Sequence, residues 1–350
     1  MLQDVPEPDI LLRDQGLLEN VTEVSNTHDL SLLSDASVYL AGPYQDHMNT
    51  KDVDIKERRF RLYTRIAARL MESRLDVFSP ITHSHIVEKQ FCSRPSYPHN
   101  FWLARDLNWL LAADVVVVVK AHGWLQSRGV HAEVKVAQEA NIPVHTIDPL
   151  HFMHIVAFGG KKRSGKDTAC RLVHEYKDEI RGAKRPIETV QTFAFADRLK
   201  EAMAAMYGYS ERQLNGDLKE VIDPRTGETP REGLQHLGTD IIRNQYDSEV
   251  WSSAMFRDMR YYLPDLALVS DLRFPNEVHS INRFASASTY LLKRDVIENG
   301  DDHSSETALE GYESDFDGVI SNNQTIDDLA DSITSSVRFR GDEYPNQLPF

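Results

Sequence analysis

Five consecutive valines at positions 115–119 constrain the fold of this chain more than any other feature. β-branched residues favour strands, and a run without polar alternation indicates a strand that is covered on both faces. Short apolar segments alternate with helical patterns around this run, from SVYLAG at 37–42 to IPVHTID at 142–148. This alternation predicts an α/β domain with a parallel sheet between two layers of helices.

A second series of strands and helices begins after residue 150. MHIVAFGG (153–160) predicts a strand and KDTACRLVHEY (166–176) a helix, while REGLQHLGTDIIRNQY (231–246) predicts one later helix. We therefore predict two three-layer α/β domains, each with a parallel sheet. The predicted boundaries are an extension at 1–34, a Rossmann-like domain at 35–150, a second α/β domain at 151–340 and a tail at 341–350.

The charge balance argues against a polymeric nucleic acid as partner. Lys and Arg number 39 against 54 Asp and Glu, so the formal net charge is −15. A surface of this sign repels a polyanion, whereas a small phosphorylated ligand needs only local cations and backbone amides. Small anionic molecules are the expected ligands.

Cysteine content and hydropathy predict a cytoplasmic protein. Two cysteines, Cys92 and Cys170, are too few for a disulfide framework. The first residues contain no basic segment followed by an apolar one, and the most apolar run, WLLAADVVVVV, is short and interrupted by Asp114. We therefore expect neither secretion nor a membrane partner.

The segment GGKKRSGKDT, between a predicted strand and a predicted helix, has the spacing of a phosphate-binding loop: Gly160, four residues, Gly165 and Lys166. Glycines let backbone amides turn toward phosphate oxygens, and the lysine reaches the outer phosphates. The hydroxyl that usually follows the lysine is replaced by Asp167, and Thr168 comes one place later. The alternative is a glycine-rich turn whose basic residues are only solvated.

Five segments resemble phage-type deoxynucleoside monophosphate kinases, in their order and over nearly all of 152–335: GGKKRSGKDT, FADRLKEAM, LQHLGTDIIRNQYDSEVW, VSDLRFPNEV and HSSE. The resemblance implies a P-loop kinase fold, ATP and Mg²⁺ as cofactors, and deoxynucleoside monophosphates as substrates. It also implies a viral enzyme that acts in the host cytoplasm. Gly160, Lys162, Arg163, Ser164, Gly165, Lys166, Asp167 and Thr168 would bind ATP.

Asp271 ends the apolar strand LALVS, where a carboxylate reaches the carboxyl edge of a parallel sheet. It is the candidate for holding magnesium or water together with Thr168, and Arg273 could clamp a phosphate. By resemblance, the monophosphate and its sugar would be lined by Arg198, Lys200, Thr239, Asp240 and Arg243. The alternative for Arg198 and Lys200 is the solvated face of a helix, and for Asp240 a structural cap.

Four segments of the first domain, VYLAGPY, RDLNWLLAADVVVVV, WLQSRGVHAEVKVA and IPV, resemble the nucleoside 2-deoxyribosyltransferase superfamily over 37–148. The pattern is nearest to deoxynucleoside 5'-monophosphate N-glycosidases. The resemblance implies that Glu133 is the nucleophile and that Tyr39 donates a hydrogen bond to it. Asp106 matches the second acid of the family, which would assist the leaving base or orient the nucleophile. Because Glu133 follows a helix start, we expect the helix dipole to keep it ionised.

Substrate contacts in this domain are implied at Gly42, Ser127 and Gly129. The transferases that act on free nucleosides carry an aspartate where this chain has Ser127; a hydroxyl and the Gly129 backbone could accept a 5'-phosphate that a carboxylate would repel.

Each of these residues also has a structural interpretation: Glu133 on a solvated helix face, Asp106 as a cap and Tyr39 in the core. On that interpretation the domain senses nucleotide or forms a homodimer without catalysis, since related folds build sites across subunit contacts. His83, His85 and His131 have no metal-ligand spacing, so we interpret them as structural.

Overall fold

The computed structural model describes residues 21–24, 35–45, 54–91, 99–284, 286–295 and 307–340. Cys92, the HSSE segment at 303–306, the tail 341–350 and most of the extension 1–34 lie outside these ranges. The chain divides into two compact units: one runs to Phe152 and includes Arg260–Leu263, and the other takes Met153–Met259 and the chain from Pro264. Each unit contains a parallel sheet with helices, which confirms the predicted fold class.

The first unit has a five-stranded sheet in the order β1-β5-β4-β2-β3, with every neighbouring pair parallel. Its strands are β1 (Val21–Val24), β2 (Ser37–Ala41), β3 (Asp76–Phe78), β4 (Val115–Val119) and β5 (Val144–Ile147). Its helices are α1 (Ile55–Glu72), α2 (Pro80–Phe91), α3 (His99–Leu110) and α4 (Arg128–Glu139). Strand β1 lies inside the predicted extension and pairs with β5.

The valine run is strand β4 at the centre of this sheet. Val115, Val117 and Val119 belong to one core cluster with residues of α1. Val116 and Val118 belong to another, together with residues of α4. Both faces of the strand are buried, which explains the absence of polar alternation.

The second unit has a five-stranded parallel sheet in the order β10-β9-β6-β8-β7. Its strands are β6 (His154–Gly159), β7 (Val190–Phe193), β8 (Leu266–Leu272), β9 (Ala287–Lys293) and β10 (Gly318–Ser321). Its helices are α5 (Lys166–Glu175), α6 (Asp197–Tyr207), α7 (Glu211–Leu214), α8 (Pro230–Gln235), α9 (Val250–Tyr262, whose last turn groups with the first unit), α10 (Pro275–Asn282) and α11 (Ile326–Ser336).

The predicted single helix at 231–246 is two elements. Helix α8 ends at Gln235, and a π-helix continues from His236 to Tyr246. The Trp251 indole donates a 3.0 Å hydrogen bond to the carbonyl of Gly238 within the π-helix. π-helical turns occur often at functional sites, and this one lines the cavity described below.

Candidate active sites

Strands β6 and β8 run side by side and parallel, with Gly159 opposite Leu272. Their carboxyl ends therefore leave the sheet at the same edge, next to each other. The loop 160–165 follows β6, and Asp271 lies near the end of β8. The register of two strands that are distant in sequence thus brings the phosphate-binding loop and this carboxylate together.

Two glycines allow the backbone of the loop to take its path. Gly160 has φ +141° and Gly165 has φ +101°, and residues that carry a side chain rarely adopt either backbone conformation. A Cβ at Gly160 would lie 2.5 Å from the Leu292 carbonyl oxygen, and one at Gly165 would lie 2.3 Å from Asn322 Nδ2. Helix α5 begins at Lys166, so its first backbone amides point into the loop.

The Lys166 side chain lies inside this loop and is buried. Its ammonium donates 2.7 Å hydrogen bonds to the carbonyl oxygens of Gly160 and Lys161. The loop therefore encloses a positive charge beside the first amides of helix α5, and both favour a bound anion.

A cavity of about 630 Å³ opens beside the loop, within the range of small-molecule sites. Nine cationic side chains line it: Lys162, Arg163, Lys166, Lys200, Lys219, Arg231, Arg243, Arg273 and Arg294. Only four acidic side chains do so: Asp167, Glu220, Asp271 and Glu277. A surplus of five positive charges inside a chain of net charge −15 marks this cavity as an anion site.

Asp271 lines the cavity and also fixes one of its walls. Its two carboxylate oxygens accept the backbone N–H groups of Phe195 (2.8 Å) and Ala196 (3.0 Å), which follow strand β7. Each oxygen keeps a lone pair for a further partner.

Asp167, Thr168 and Asp271, whose side chains carry oxygen donors, all line this cavity. Mg²⁺ in phosphoryl-transfer sites takes one or two carboxylates, with phosphate oxygens and water completing its shell. No cluster of three or more His, Cys, Asp or Glu side chains suited to a metal occurs in the described parts of the chain. The oxygens present therefore fit a magnesium ion that is held largely by nucleotide.

A buried ion pair, Arg243 with Glu277, also lines the cavity. Arg243 donates to the Glu277 carboxylate, and its guanidinium lies 4.1 Å from the Phe274 ring centroid. Glu277 also accepts the backbone N–H groups of Arg273 (2.8 Å) and Phe274 (3.1 Å). Burial raises the pKa of Glu277 to about 7, against the opposing effect of Arg243.

The cavity brings together eleven of the kinase-site residues predicted from sequence: Lys162, Arg163, Gly165, Lys166, Asp167, Thr168, Lys200, Thr239, Arg243, Asp271 and Arg273. Gly160 and Ser164 shape the loop but do not line the cavity. Arg198 is also not among the lining residues, because its guanidinium binds Asp258 and Glu201. Asp240 lies outside the lining as well, with its carboxylate 3.3 Å from His236 Nδ1.

Sequence reasoning missed six lining residues that could contact a ligand: Lys219, Arg231, Trp251, Phe274, Glu277 and Arg294. Phe274 and Glu277 belong to the segment SDLRFPNE, which could have indicated them. Lys219 lies between α7 and α8, where no periodic pattern exists. Its approach to the cavity depends on tertiary structure alone.

The first unit has a buried pair of carboxylates at its sheet. The Tyr39 phenol in β2 donates a 2.7 Å hydrogen bond to Glu133 Oε1 in α4. Asp106 in α3 is buried and acts electrostatically on both residues. Burial raises the pKa of Glu133 to about 8 and that of Asp106 to about 6.

The expectation that the helix dipole keeps Glu133 ionised is wrong for the free protein. Glu133 lies in the second turn of α4 and is only 8% exposed, so desolvation is the largest effect on its pKa. The Tyr39 hydrogen bond lowers the pKa, and the charge of Asp106 raises it. Loss of water thus outweighs the Tyr39 hydrogen bond that favours the ionised form.

The predicted substrate contacts of the first unit have structural partners. The Ser127 hydroxyl caps α4 by accepting the Val130 N–H at 3.4 Å, and Gly129 lies in the first turn of that helix. A Cβ on Gly42 would lie 1.8 Å from the Tyr63 hydroxyl, so this tyrosine requires the glycine. Asp114 accepts both the backbone and side-chain donors of Ser37, as expected for a strand-entry residue.

The three histidines also contact protein groups. His131 lies 2.6 Å from the Leu125 carbonyl oxygen, and His85 lies 2.8 Å from the Tyr44 hydroxyl. The His83 ring is 6.0 Å from that of Phe78, and its charge acts on Asp106.

The sheet, loop and cationic cavity of the second unit define a P-loop nucleotide kinase. Residues 222–333 match the family described as deoxynucleotide monophosphate kinase. A protein of Acanthamoeba polyphaga mimivirus, provisionally named a deoxynucleotide monophosphate kinase, is 32% identical over 205 residues, which are 53% of this chain and 96% of that protein. The chain belongs to the deoxynucleotide monophosphate kinase family.

Residues 36–148 match a domain of unknown function (DUF1937). This match covers the unit that holds Tyr39, Asp106 and Glu133.

No helix among the described residues is both long and apolar enough to cross a bilayer.

Proposed function

We propose that the second unit transfers the terminal phosphoryl group of ATP to a deoxynucleoside monophosphate. The observation that carries this proposal is the closed loop around Lys166 beside a cavity with five surplus positive charges. Phosphoryl transfer depends mainly on positioning two phosphates and neutralising their charge. Asp271 and Thr168 would hold magnesium, which would supply positive charge to neutralise part of the phosphate charge.

In this reaction the loop amides and Lys166 bind the donor phosphates. Lys200 and Arg273 line the cavity and would bind the acceptor phosphate, while Thr239 and Arg243 would contact its nucleoside. The acceptor phosphate oxygen attacks the terminal phosphorus, and the bond to the leaving ADP oxygen breaks. The products are ADP and a deoxynucleoside diphosphate.

The test is a panel of deoxynucleoside monophosphates incubated with ATP and Mg²⁺, with diphosphates separated by chromatography. The same preparation of Lys166→Ala controls for contaminating kinases. Formation of diphosphate that depends on Lys166 supports the proposal. The absence of diphosphate with every monophosphate, or full activity in Lys166→Ala, contradicts it.

We propose a second activity for the first unit: cleavage or exchange of the N-glycosidic bond of a deoxynucleoside 5'-monophosphate. Two buried carboxylates with raised pKa values support it: Glu133, which accepts the Tyr39 hydrogen bond, and Asp106, whose charge acts on both residues. Glu133 would attack the anomeric carbon while Asp106 protonates the leaving base. Water or a second base would then release the sugar from Glu133.

Chromatography of free bases after incubation with monophosphates tests this activity. Base release that disappears in Glu133→Gln supports it, and added free base distinguishes exchange from hydrolysis. Two other outcomes would replace the proposal. If no base is released but a nucleotide alters kinase activity equally in Glu133→Gln, the unit senses nucleotide. If neither effect occurs and sedimentation shows a dimer, the unit is a dimerisation domain.

Both activities use small deoxynucleotides, so we expect them in the cytoplasm, with a homodimer as the expected assembly. A chain that removes some monophosphates and phosphorylates others would reshape a deoxynucleotide pool.

A further inference from the structure

The cavity of the second unit contains a cation that the assignments above leave unused. Lys219 lies between helices α7 and α8, and its backbone is fixed on both sides: its N–H donates to the Gly216 carbonyl (3.2 Å), and its carbonyl accepts the Arg231 N–H (3.1 Å). The side chain is half-buried and lines the cavity. Within the ranges that the structure describes, no group forms a hydrogen bond or ion pair with its ammonium.

The surroundings of Lys219 are mainly positive. The charges of Lys200, Arg231 and Arg273 act on it, and all three side chains line the same cavity. The neighbouring carboxylate, Glu220, is engaged elsewhere: it lies 2.6 Å from Lys162 Nζ and 3.9 Å from Arg231. Half-buried like charges repel one another, and an anionic ligand is the partner that relieves this repulsion.

The cations of the cavity form two groups. Lys162, Arg163 and Lys166 belong to the phosphate-binding loop. The other cations lie outside that loop. The positive charges that act on Lys219 are those of Lys200, Arg231 and Arg273, and Lys200 and Arg273 are the residues proposed for the acceptor phosphate.

We infer that Lys219 binds the phosphate of the deoxynucleoside monophosphate and is a specificity-determining residue of the acceptor site. The inference rests on the proposed kinase function and deepens it. A dianionic phosphate between Lys200, Lys219, Arg231 and Arg273 would gain charge-assisted hydrogen bonds from each. A nucleoside without a phosphate would leave the Lys219 charge uncompensated among these cations, so Lys219 selects for phosphorylated acceptors.

The binding should depend on pH in a defined direction. Burial and the three cations lower the pKa of Lys219 to about 8 in the free protein, and Glu220 opposes them weakly. Lys219 therefore loses its charge as the pH rises past about 8, and monophosphate binding should weaken there. An arginine at this position keeps its charge over the same range.

The test compares the wild type with Lys219→Met, Lys219→Arg and the matched control Lys135→Met, whose lysine is exposed in the first unit. We expect Lys219→Met to raise the KM for the monophosphate about tenfold to a hundredfold and to change the KM for ATP less than about twofold. Lys219→Arg should restore most of the affinity and remove its decline above pH 8. Lys135→Met should match the wild type.

Calorimetric binding of the monophosphate without ATP, at pH 7 and pH 9, separates this inference from the proposed function. If the wild type makes no diphosphate but its monophosphate binding is lost in Lys219→Met, the kinase proposal fails and the phosphate site stands. If folded Lys219→Met binds the monophosphate like the wild type, or if both KM values rise equally, the inference is overturned.

Discussion

The Tyr39 hydroxyl lies 2.7 Å from Glu133 Oε1, which joins a central strand to a helix 94 residues further along the chain. This hydrogen bond lowers the pKa of the Glu133 carboxyl, whereas burial raises that pKa. It therefore couples the fold of the first unit to the charge state of its candidate nucleophile, and several predictions depend on it.

Base release by the first unit should follow a bell-shaped pH profile. The buried carboxylates Asp106 and Glu133 interact, so they titrate as a pair, with apparent pKa values of about 6 and about 8. The proposed mechanism needs Glu133 ionised and Asp106 protonated. The order of the two pKa values favours the opposite arrangement, so the reactive form is the less populated of the two singly protonated forms, but the populations of both forms peak between those values. We expect kcat/KM to be maximal near pH 7 and to fall on both sides. A rate that is constant from pH 5 to pH 9 would exclude this pair as the acid and the nucleophile.

Tyr39→Phe should move the alkaline limb of that profile to higher pH. The substitution removes the hydrogen bond that favours ionised Glu133 and lowers the maximal rate by about tenfold or more. Tyr63→Phe is the matched control, because its hydroxyl makes a 3.4 Å contact with the Pro43 carbonyl instead of binding Glu133. Equal effects of both substitutions would show that general packing, rather than the bond to Glu133, matters.

Glu133→Gln should stabilise the protein increasingly as pH rises. The folded pKa of Glu133, about 8, lies above its ordinary value, so the folded state holds its proton more tightly than the unfolded state. Below about pH 4 Glu133 is protonated in both states and costs the wild type almost no stability. Between about pH 4 and pH 8 the unfolded state releases this proton more readily, so the free energy of unfolding of the wild type falls. We expect a gain of about 1–3 kcal/mol in the free energy of unfolding at pH 7. Urea unfolding from pH 4 to pH 8, followed by tryptophan fluorescence, measures it; a pH-independent difference would contradict the raised pKa.

Gly165→Ala should abolish most kinase activity. A side chain at φ +101° is strained, and its Cβ would lie 2.3 Å from Asn322 Nδ2, so the loop must shift. A small displacement of a positioned phosphate can lower the rate about a hundredfold. Gly227→Ala is the matched control, since Gly227 has φ +78° with no atom within 4 Å of an added Cβ. Equal kinase activity in the two variants would contradict a requirement for this glycine in the loop.

Arg243→Met should destabilise the second unit by about 3–5 kcal/mol, because it leaves the Glu277 carboxyl buried without its cation. The exposed pair of Arg212 and Asp217 is the control, and Arg212→Met should change the free energy of unfolding far less, because solvent screens this pair. Denaturant unfolding by circular dichroism measures both. Similar costs would mean that the buried pair contributes no more than a solvated one.

Patterns that repeat over a few residues were sufficient to predict most of the central strands and the helices beside them. The valine run predicted a strand buried on both faces, and the spacing of Gly160, Gly165 and Lys166 predicted a loop between a strand and a helix. The π-helix at His236–Tyr246, strands β1 and β10 and helices α2, α7 and α11 were not predicted. The π-helix and β1 make contacts outside their own segments, with Trp251 and with strand β5.

Local chemistry therefore determined the α/β class, the phosphate-binding loop and the names of most candidate residues, since helix and strand periods and glycine conformations act over short stretches of chain. Tertiary structure decided which residues share a site and what charge they carry. Lys219 reached the anion cavity, and Arg198 did not, because of contacts made far away in sequence. Glu133 acquired its raised pKa in the same way, since desolvation depends on everything that packs around a group and not on its neighbours in the chain.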